Sequence, residues 1–221
     1  MKLVYQYFFL TGDILLVLMM TFINNKYYKL PKWKIVSFSL GIVPIGYFCG
    51  KLMRLVEANT WSGVSFYGAV LFAPILMVLF GLLLKIKPLD MLDMCAPAGC
   101  IALVFMKIQC KITGCCYGKI LRYEPNGRPV RFPSQIVEMI FGIILLIIIM
   151  MIIQSKKEKG YVYAWFLLLY GASRFVLNLF RDTEPFVLNL SAGCFWSIIS
   201  VIIGGTVLYL KRVKEKRYVK K

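Results

Sequence analysis

Seven long apolar segments, separated by short polar or basic stretches, dominate the hydrophobic pattern of this chain. A helix needs about 20 mostly apolar residues to cross a bilayer, and lipid offers no hydrogen-bond partner to a free backbone group. Each segment is therefore predicted to be a membrane-spanning helix. The predicted spans lie near residues 5–24, 35–56, 66–84, 91–109, 135–154, 161–180 and 191–210.

The composition supports this prediction. Hydrophobic residues make up 60% of the 221 residues, and the mean hydropathy is +0.74, whereas a soluble domain is about 45–50% apolar. The chain is predicted to be all-α, as a single transmembrane domain over residues 1–221. The longest connection, residues 110–134, contains the helix breakers expected of a loop: Gly114, Gly118, Pro125, Gly127 and Pro129.

The distribution of Lys and Arg predicts the orientation, because cytoplasmic connections are rich in both. Seven cations follow the last span, which favours a cytoplasmic C-terminus and, with seven crossings, an external N-terminus. This topology leaves 11 of the 27 cations on the outer side, and six of these lie between Lys107 and Arg131. So many cations on the translocated side indicate that something compensates their charge. The alternative is that Lys119, Arg122 and Arg128 of the loop are interfacial cations that reach up to lipid headgroups.

Arg174 is predicted to lie inside the sixth span, about 9 Å below its outer end. An arginine in a membrane costs about 2.5–3.5 kcal/mol on insertion scales and by default indicates a functional site. Asn178 and Arg181 follow on the same helical face. A structural alternative pairs Arg174 with Glu138 or Asp13.

Converging cations repel one another unless an anion lies between them, and a phospholipid phosphate is the natural candidate. We therefore expect one anion-binding cavity near the outer interface, with two further polar side chains at its edge. The cations are Lys107, Arg131, Arg174 and Arg181, and the edge residues are Gln135 and Glu138.

The chain has seven cysteines and no histidine. Because the cysteines include no C-x-x-C pair, neither a zinc site nor another cofactor is expected. Most of the cysteines are interpreted as small packing residues at helix interfaces. The absence of histidine also removes the usual general base of an enzyme.

Four segments resemble, in order and spacing, the motifs of the prolipoprotein diacylglyceryl transferase family. Gly63–Ala69 resembles its G-x-S-F-H-G-G segment, and Gly114–Lys119 resembles the end of its G-C-x-x-G-C-C-Y-G motif. Phe132–Glu138 resembles H-P-[ST]-Q-L-Y-E, and Tyr170–Arg181 resembles Y-G-x-x-R-F-x-x-E-x-x-R. The resemblance covers most of the chain from about residue 30.

The resemblance implies transfer of the diacylglyceryl group of phosphatidylglycerol to the lipobox cysteine of a prolipoprotein, in the bacterial cytoplasmic membrane. Arg174 matches the essential arginine of the family, and Tyr67 stands at its functional histidine. These two residues are the candidate catalytic residues. The candidate substrate-binding residues are Lys107, Arg131, Gln135, Glu138, Asn178 and Arg181.

The chain departs from the family at proton-transfer positions, because Phe132 replaces a histidine and Asn178 a glutamate. Two other functions therefore stay open: an inactive lipid- or lipopeptide-binding protein of the same fold, and a small anion transporter or channel. The expected partners are phosphatidylglycerol or another anionic phospholipid, a prolipoprotein signal peptide and membrane lipid, and not nucleic acid.

The topology predicts that residues 123–128 face the outside and that residues 214–221 face the cytoplasm. Single cysteines placed in either segment of a cysteine-free variant are to be treated with a membrane-impermeant maleimide in intact cells. We expect the loop cysteine to be labelled and the tail cysteine to be labelled only after lysis. The reverse pattern would contradict the topology.

Overall fold

The structure is a computed structural model that describes residues 2–155 and 158–219. Four lysines that the predicted topology assigns to the cytoplasm lie outside these ranges: Lys156, Lys157, Lys220 and Lys221. Within the ranges the chain forms seven α-helices. They are α1 (Lys2–Ile23), α2 (Lys32–Ala58), α3 (Ala73–Leu83), α4 (Pro88–Thr113), α5 (Ser134–Gln154), α6 (Val162–Leu179) and α7 (Ala192–Val219).

A helix occupies each of the seven predicted segments. In the described part of the chain, five helices, α2 and α4 to α7, are long and apolar enough to cross a membrane. On α5, large apolar side chains such as Ile147 and Met151 are exposed, as expected of a surface that faces lipid. The chain is therefore a multi-pass membrane protein, whereas the seven crossings and their orientation stay predictions.

The third predicted span is shorter than expected. Its apolar helix covers Gly68–Leu83, or about 24 Å at 1.5 Å per residue, against a hydrocarbon core of roughly 30 Å. The helix begins late because the preceding residues pack on α2: the Ser65 amide donates to the Gly50 carbonyl at 3.0 Å. A Cβ atom on Gly68 would collide with the backbone of Cys49 and Gly50, so a glycine is needed for this close approach.

The chain divides into two compact units, which are described separately. The first unit comprises Met1–Ala102 and Leu146–Tyr163, and the second comprises Leu103–Leu145 and Ala164–Lys221. In the first unit α2 contacts α1 and α3. Asp93 of α4 is fully buried and accepts the backbone amides of Gly160 at 2.5 Å and Val162 at 2.9 Å, so this carboxylate holds the start of α6.

In the second unit α6 and α7 pack closely through small residues, as membrane helices commonly do. An ideal Cβ on Gly204 would lie 2.6 Å from the Ala164 carbonyl oxygen and 2.8 Å from the Leu168 amide nitrogen. The neighbouring Gly205 has no such atom within 4 Å. Only the first of these two glycines is therefore required by packing.

The long connection between α4 and α5 is not an irregular loop. It contains an antiparallel hairpin of β1 (Ile120–Tyr123) and β2 (Pro129–Arg131), in which Ile120 lies opposite Arg131. A second small antiparallel pair, β3 (Pro185–Val187) with β4 (Leu190–Ser191), lies between α6 and α7. The predicted all-α fold thus holds for the apolar segments but misses these two hairpins, whose strands are only two to four residues long.

The two glycines of α7 provide a matched test of the packing. Gly204→Ala is expected to lower the free energy of unfolding by about 1–3 kcal/mol, because the added methyl group overpacks the contact with α6. Gly205→Ala is expected to leave stability unchanged or raise it by up to about 1 kcal/mol, the difference in helix propensity. Thermal unfolding of both variants in detergent, followed by helical circular dichroism, measures this. Equal effects of the two substitutions would contradict the packing.

Candidate functional site

A single buried carboxylate organises the second unit. Glu138 of α5 is 2% exposed, and three cations from other segments contact it. Lys107 of α4 places its Nζ atom 2.7 Å from Glu138 Oε2. Arg174 of α6 forms an ion pair with the same oxygen, and Arg181, just after α6, lies 3.5 Å from Oε1. We call these four residues the Glu138 cluster.

The Glu138 cluster carries more positive than negative charge. Its three cations are only 6 to 12% exposed, and one carboxylate neutralises one of them, so these four side chains by themselves carry a formal surplus of two positive charges. Uncompensated charge is costly away from bulk water. An anion beside the cluster would offset this charge, so the arrangement can accept one.

The contacts of the first turn of α5 explain how Glu138 reaches this position. Pro133 precedes the helix and fixes the backbone for its first turn. Ser134 donates its hydroxyl to the Cys116 carbonyl at 2.6 Å, and the Gln135 amide donates to the Cys115 carbonyl at 2.7 Å. These bonds hold the segment before β1 against the first turn of α5, and Glu138 lies one turn further along.

Two of the predicted cavity residues differ from the prediction, Arg131 in its ion-pair partner and Glu138 in its position. Arg131 is not in the Glu138 cluster: it forms an ion pair with Asp182 at 2.9 Å and donates to the Gly118 carbonyl at 3.3 Å. Asp182, which was not among the predicted site residues, is the carboxylate that pairs with Arg131. Glu138 lies among the three cations and not at the edge of a cavity. Its ion pair with Arg174 agrees with the structural alternative predicted from the sequence.

Asn178 lies on α6 one turn after Arg174 and is 4% exposed. Neither polar atom of its side-chain amide has a hydrogen-bond partner among the described residues. The amide packs against Gly193, where a Cβ atom would collide with it. A buried amide without partners is costly, so Asn178 offers one donor and one acceptor to a polar ligand.

Three of the seven cysteines meet beside the Glu138 cluster and so have more than the packing role expected of most of them. The Sγ atoms of Cys110, Cys115 and Cys116 all lie within 4.8 Å of one another. The Cys110 thiol donates to Cys116 Sγ at 3.7 Å. This hydrogen bond, with the positive charges of Lys107 and Arg181, lowers the pKa of the Cys116 thiol below its ordinary value. The spacing of these cysteines, at five and six residues, gave no recognised metal or redox motif.

Tyr67, the second candidate catalytic residue, belongs to the first unit. It is 4% exposed and lies directly before the wide helical turn Gly68–Phe72. Its role stays a prediction.

Comparison with known proteins agrees with this geometry. Residues 5–210 match the family model of prolipoprotein diacylglyceryl transferase, which is nearly the whole chain. The chain belongs to this family. The match includes every candidate site residue predicted from the sequence.

Individual members of the family show moderate identity over most of this chain. The phosphatidylglycerol–prolipoprotein diacylglyceryl transferase of Clostridium tetani is 27% identical over 205 residues, which cover 81% of this chain and 82% of that protein. The enzyme of the same name from Idiomarina loihiensis is 31% identical over 164 residues, 70% of this chain and 62% of that protein. The second such transferase of Clostridium perfringens is 28% identical over 176 residues, 74% of this chain and 68% of that protein.

The Glu138 cluster predicts a sharp effect on stability. Glu138→Gln removes the carboxylate that contacts three largely buried cations and is expected to lower the free energy of unfolding by about 3–5 kcal/mol, as when one partner of a buried ion pair is lost. Glu124→Gln, at an exposed position of the β1–β2 turn, is the control and is expected to change it by less than about 0.5 kcal/mol.

The measurement is thermal unfolding of both variants in the same detergent at neutral pH. Addition of inorganic phosphate should raise the melting temperature of wild-type protein more than that of a variant lacking Arg174. A Glu138→Gln variant as stable as Glu124→Gln would show that the cluster does not hold the second unit together.

Proposed function

We propose that this protein transfers the diacylglyceryl group of phosphatidylglycerol to the lipobox cysteine of prolipoproteins, at the bacterial cytoplasmic membrane. The observation that carries the proposal is the surplus of two positive charges in the Glu138 cluster. Its partners are then an anionic phospholipid and the signal peptide of a prolipoprotein. The names of the family members support the same reaction.

The charges suit the reaction. The lipobox thiol loses its proton to water, and the resulting thiolate forms a bond to the terminal glycerol carbon of the diacylglyceryl group. The bond between that carbon and its phosphate oxygen breaks, and the electron pair leaves with glycerol phosphate. A phosphate diester with one negative charge thereby becomes a monoester with about 1.5 to 2 negative charges at neutral pH.

Lys107, Arg174 and Arg181 are assigned the role of stabilising this growing charge. Donors fixed in advance where charge develops stabilise a transition state more than a ground state. Arg174 is suited to this role because its guanidinium group donates in a planar fork that matches phosphate. The surplus of two charges matches the dianionic product better than the monoanionic lipid, so binding strengthens as the reaction proceeds.

Asn178 is assigned to the lipid headgroup, and Tyr67 keeps the functional position that the family resemblance implies for it. The partnerless amide of Asn178 can donate to and accept from the hydroxyl groups of glycerol. A tyrosine side chain is ordinarily protonated at neutral pH and therefore a poor base, so we propose that Tyr67 contributes a hydrogen bond instead of abstracting a proton.

One observation favours a second function, the binding of lipid or lipopeptide without reaction. The chain has no histidine, and Glu138 is occupied by three cations, so the described cluster contains no evident general base. A protein that binds lipid or lipopeptide without reacting would have the same charges.

One reconstitution separates these functions and tests the assigned roles. Purified wild-type protein in liposomes with phosphatidylglycerol and a lipobox peptide is expected to form the thioether-linked lipopeptide, detected by mass spectrometry. Arg174→Ala should lower the rate about 100-fold or more, the scale of a lost transition-state donor. Tyr67→Phe should lower it only about tenfold, the scale of one ordinary hydrogen bond.

Arg122→Ala removes an exposed arginine of β1 and is the control, expected to keep wild-type activity. Inert wild-type protein that still binds the lipid would favour the non-catalytic function. An enzyme that tolerates Arg174→Ala and loses its activity with Tyr67→Phe would refute the assigned roles.

A further inference from the structure

The three thiols beside the Glu138 cluster have the arrangement of a metal-binding site. The backbone brings them together: α4 ends at Thr113, and Gly114 and Cys116 then adopt left-handed conformations with φ of +66° and +59°. The chain thereby turns back, and the Cys115 amide donates to the Cys110 carbonyl at 3.0 Å. A left-handed φ is uncommon for a residue other than glycine and persists where the surrounding contacts enforce it.

The contacts with α5 enforce this conformation. The Cys115 and Cys116 carbonyls each accept a side-chain hydrogen bond, from Gln135 and Ser134 respectively. The thiols are therefore held on a fixed backbone, as a preformed ligand set requires. Cys110 and Cys116 are half-buried, Cys115 is exposed, and all three are free thiols, so an ion can reach them from solvent.

The distances fit a small thiophilic ion. Zn²⁺ binds thiolate sulfur at about 2.3 Å, so two sulfur ligands of a tetrahedral site lie about 3.8 Å apart. The Cys110 and Cys116 sulfur atoms are 3.7 Å apart, and none of the three pairs exceeds 4.8 Å. Shifts of about 1 Å or less close the set around one ion.

The charges fit as well. Three thiolates and one divalent cation carry a net charge of minus one, and Lys107 and Arg181 act electrostatically on Cys116. Thiolates select soft or borderline ions such as Zn²⁺ over Mg²⁺ or Ca²⁺. Among the described residues no fourth metal-ligating side chain joins the group. Three protein ligands with one open position distinguish reactive zinc sites from closed structural ones.

We propose that Cys110, Cys115 and Cys116 bind one thiophilic divalent cation, with Zn²⁺ as the reference ion, and leave its fourth position open to an external thiol. The thiol would replace a bound water molecule and coordinate as the thiolate, its proton passing to solvent. The identity of that external thiol rests on the proposed function, in which it is the lipobox cysteine. The ion would then supply the activation that an absent histidine cannot.

The test uses the purified full-length protein in detergent, reduced and stripped of metal with a chelator. Titration with Co²⁺ as a spectroscopic substitute for Zn²⁺ is expected to give one equivalent bound, with near-ultraviolet thiolate-to-cobalt charge-transfer absorption and the visible bands of a tetrahedral site. Zn²⁺ should displace the Co²⁺. Cys110→Ser and Cys116→Ser should each weaken binding by more than about 100-fold, beyond the cost of losing a mere outer-shell contact.

Cys194→Ser, at a buried cysteine of α7, is the matched control and should bind like wild type. Circular dichroism and size-exclusion chromatography check that each variant is folded. Binding that survives Cys110→Ser and Cys116→Ser, or no binding by folded wild-type protein, would overturn the site. Loss of two titratable thiols from metal-free protein, counted without oxygen after the reductant has been removed, would identify a disulfide that resists reduction and also overturn it.

The open position has its own test. N-acetylcysteine amide added to the cobalt protein should increase the charge-transfer absorption, and N-acetylserine amide should not. Equal responses would overturn the open position. These measurements need neither phospholipid nor transfer, so they fail independently of the proposed function: a metal-binding protein that is inert in liposomes would refute the transfer reaction alone.

Discussion

The second unit depends on one interaction, the contact of three largely buried cations with the carboxylate of Glu138. Lys107, Arg174 and Arg181 come from separate segments of the chain and meet at one acidic residue near the start of α5. Away from bulk water each cation requires a partner, and the carboxylate satisfies each only in part. The same interaction therefore holds the ends of α4, α5 and α6 together and leaves part of the positive charge unneutralised.

This imbalance links stability with chemistry. A fully neutralised cluster would stabilise the fold more but would have no affinity for an anion, whereas cations without Glu138 would repel one another. One carboxylate among three cations would meet both requirements of the proposed function. Binding sites often retain such unfavourable electrostatics, because stability and function make opposed demands on the same residues.

The absence of histidine limits how a thiol can be activated. In the proposed reaction the cations stabilise the negative charge on the phosphate, but the thiol nucleophile still has to lose a proton. Cationic surroundings favour a thiolate, and a thiolate-bound metal ion would favour it further. The proposed three-cysteine site lies directly beside the cations, since Ser134 and Gln135 of α5 hold its backbone. Nucleophile and leaving group would thus be stabilised from adjoining segments of the same unit.

The sequence by itself determined the helical segments, because in lipid the length and apolarity of a segment dictate its secondary structure. It also singled out Arg174 and Lys107, since charge in an apolar segment demands a reason. Only the tertiary structure decided which charges meet. Arg131 forms an ion pair with Asp182, and Glu138 lies among the three other cations. It alone brought Cys110, Cys115 and Cys116 together, because two left-handed residues reverse the chain after α4. Such pairings depend on the conformations of turns and on contacts between distant segments, neither of which hydrophobic periodicity records.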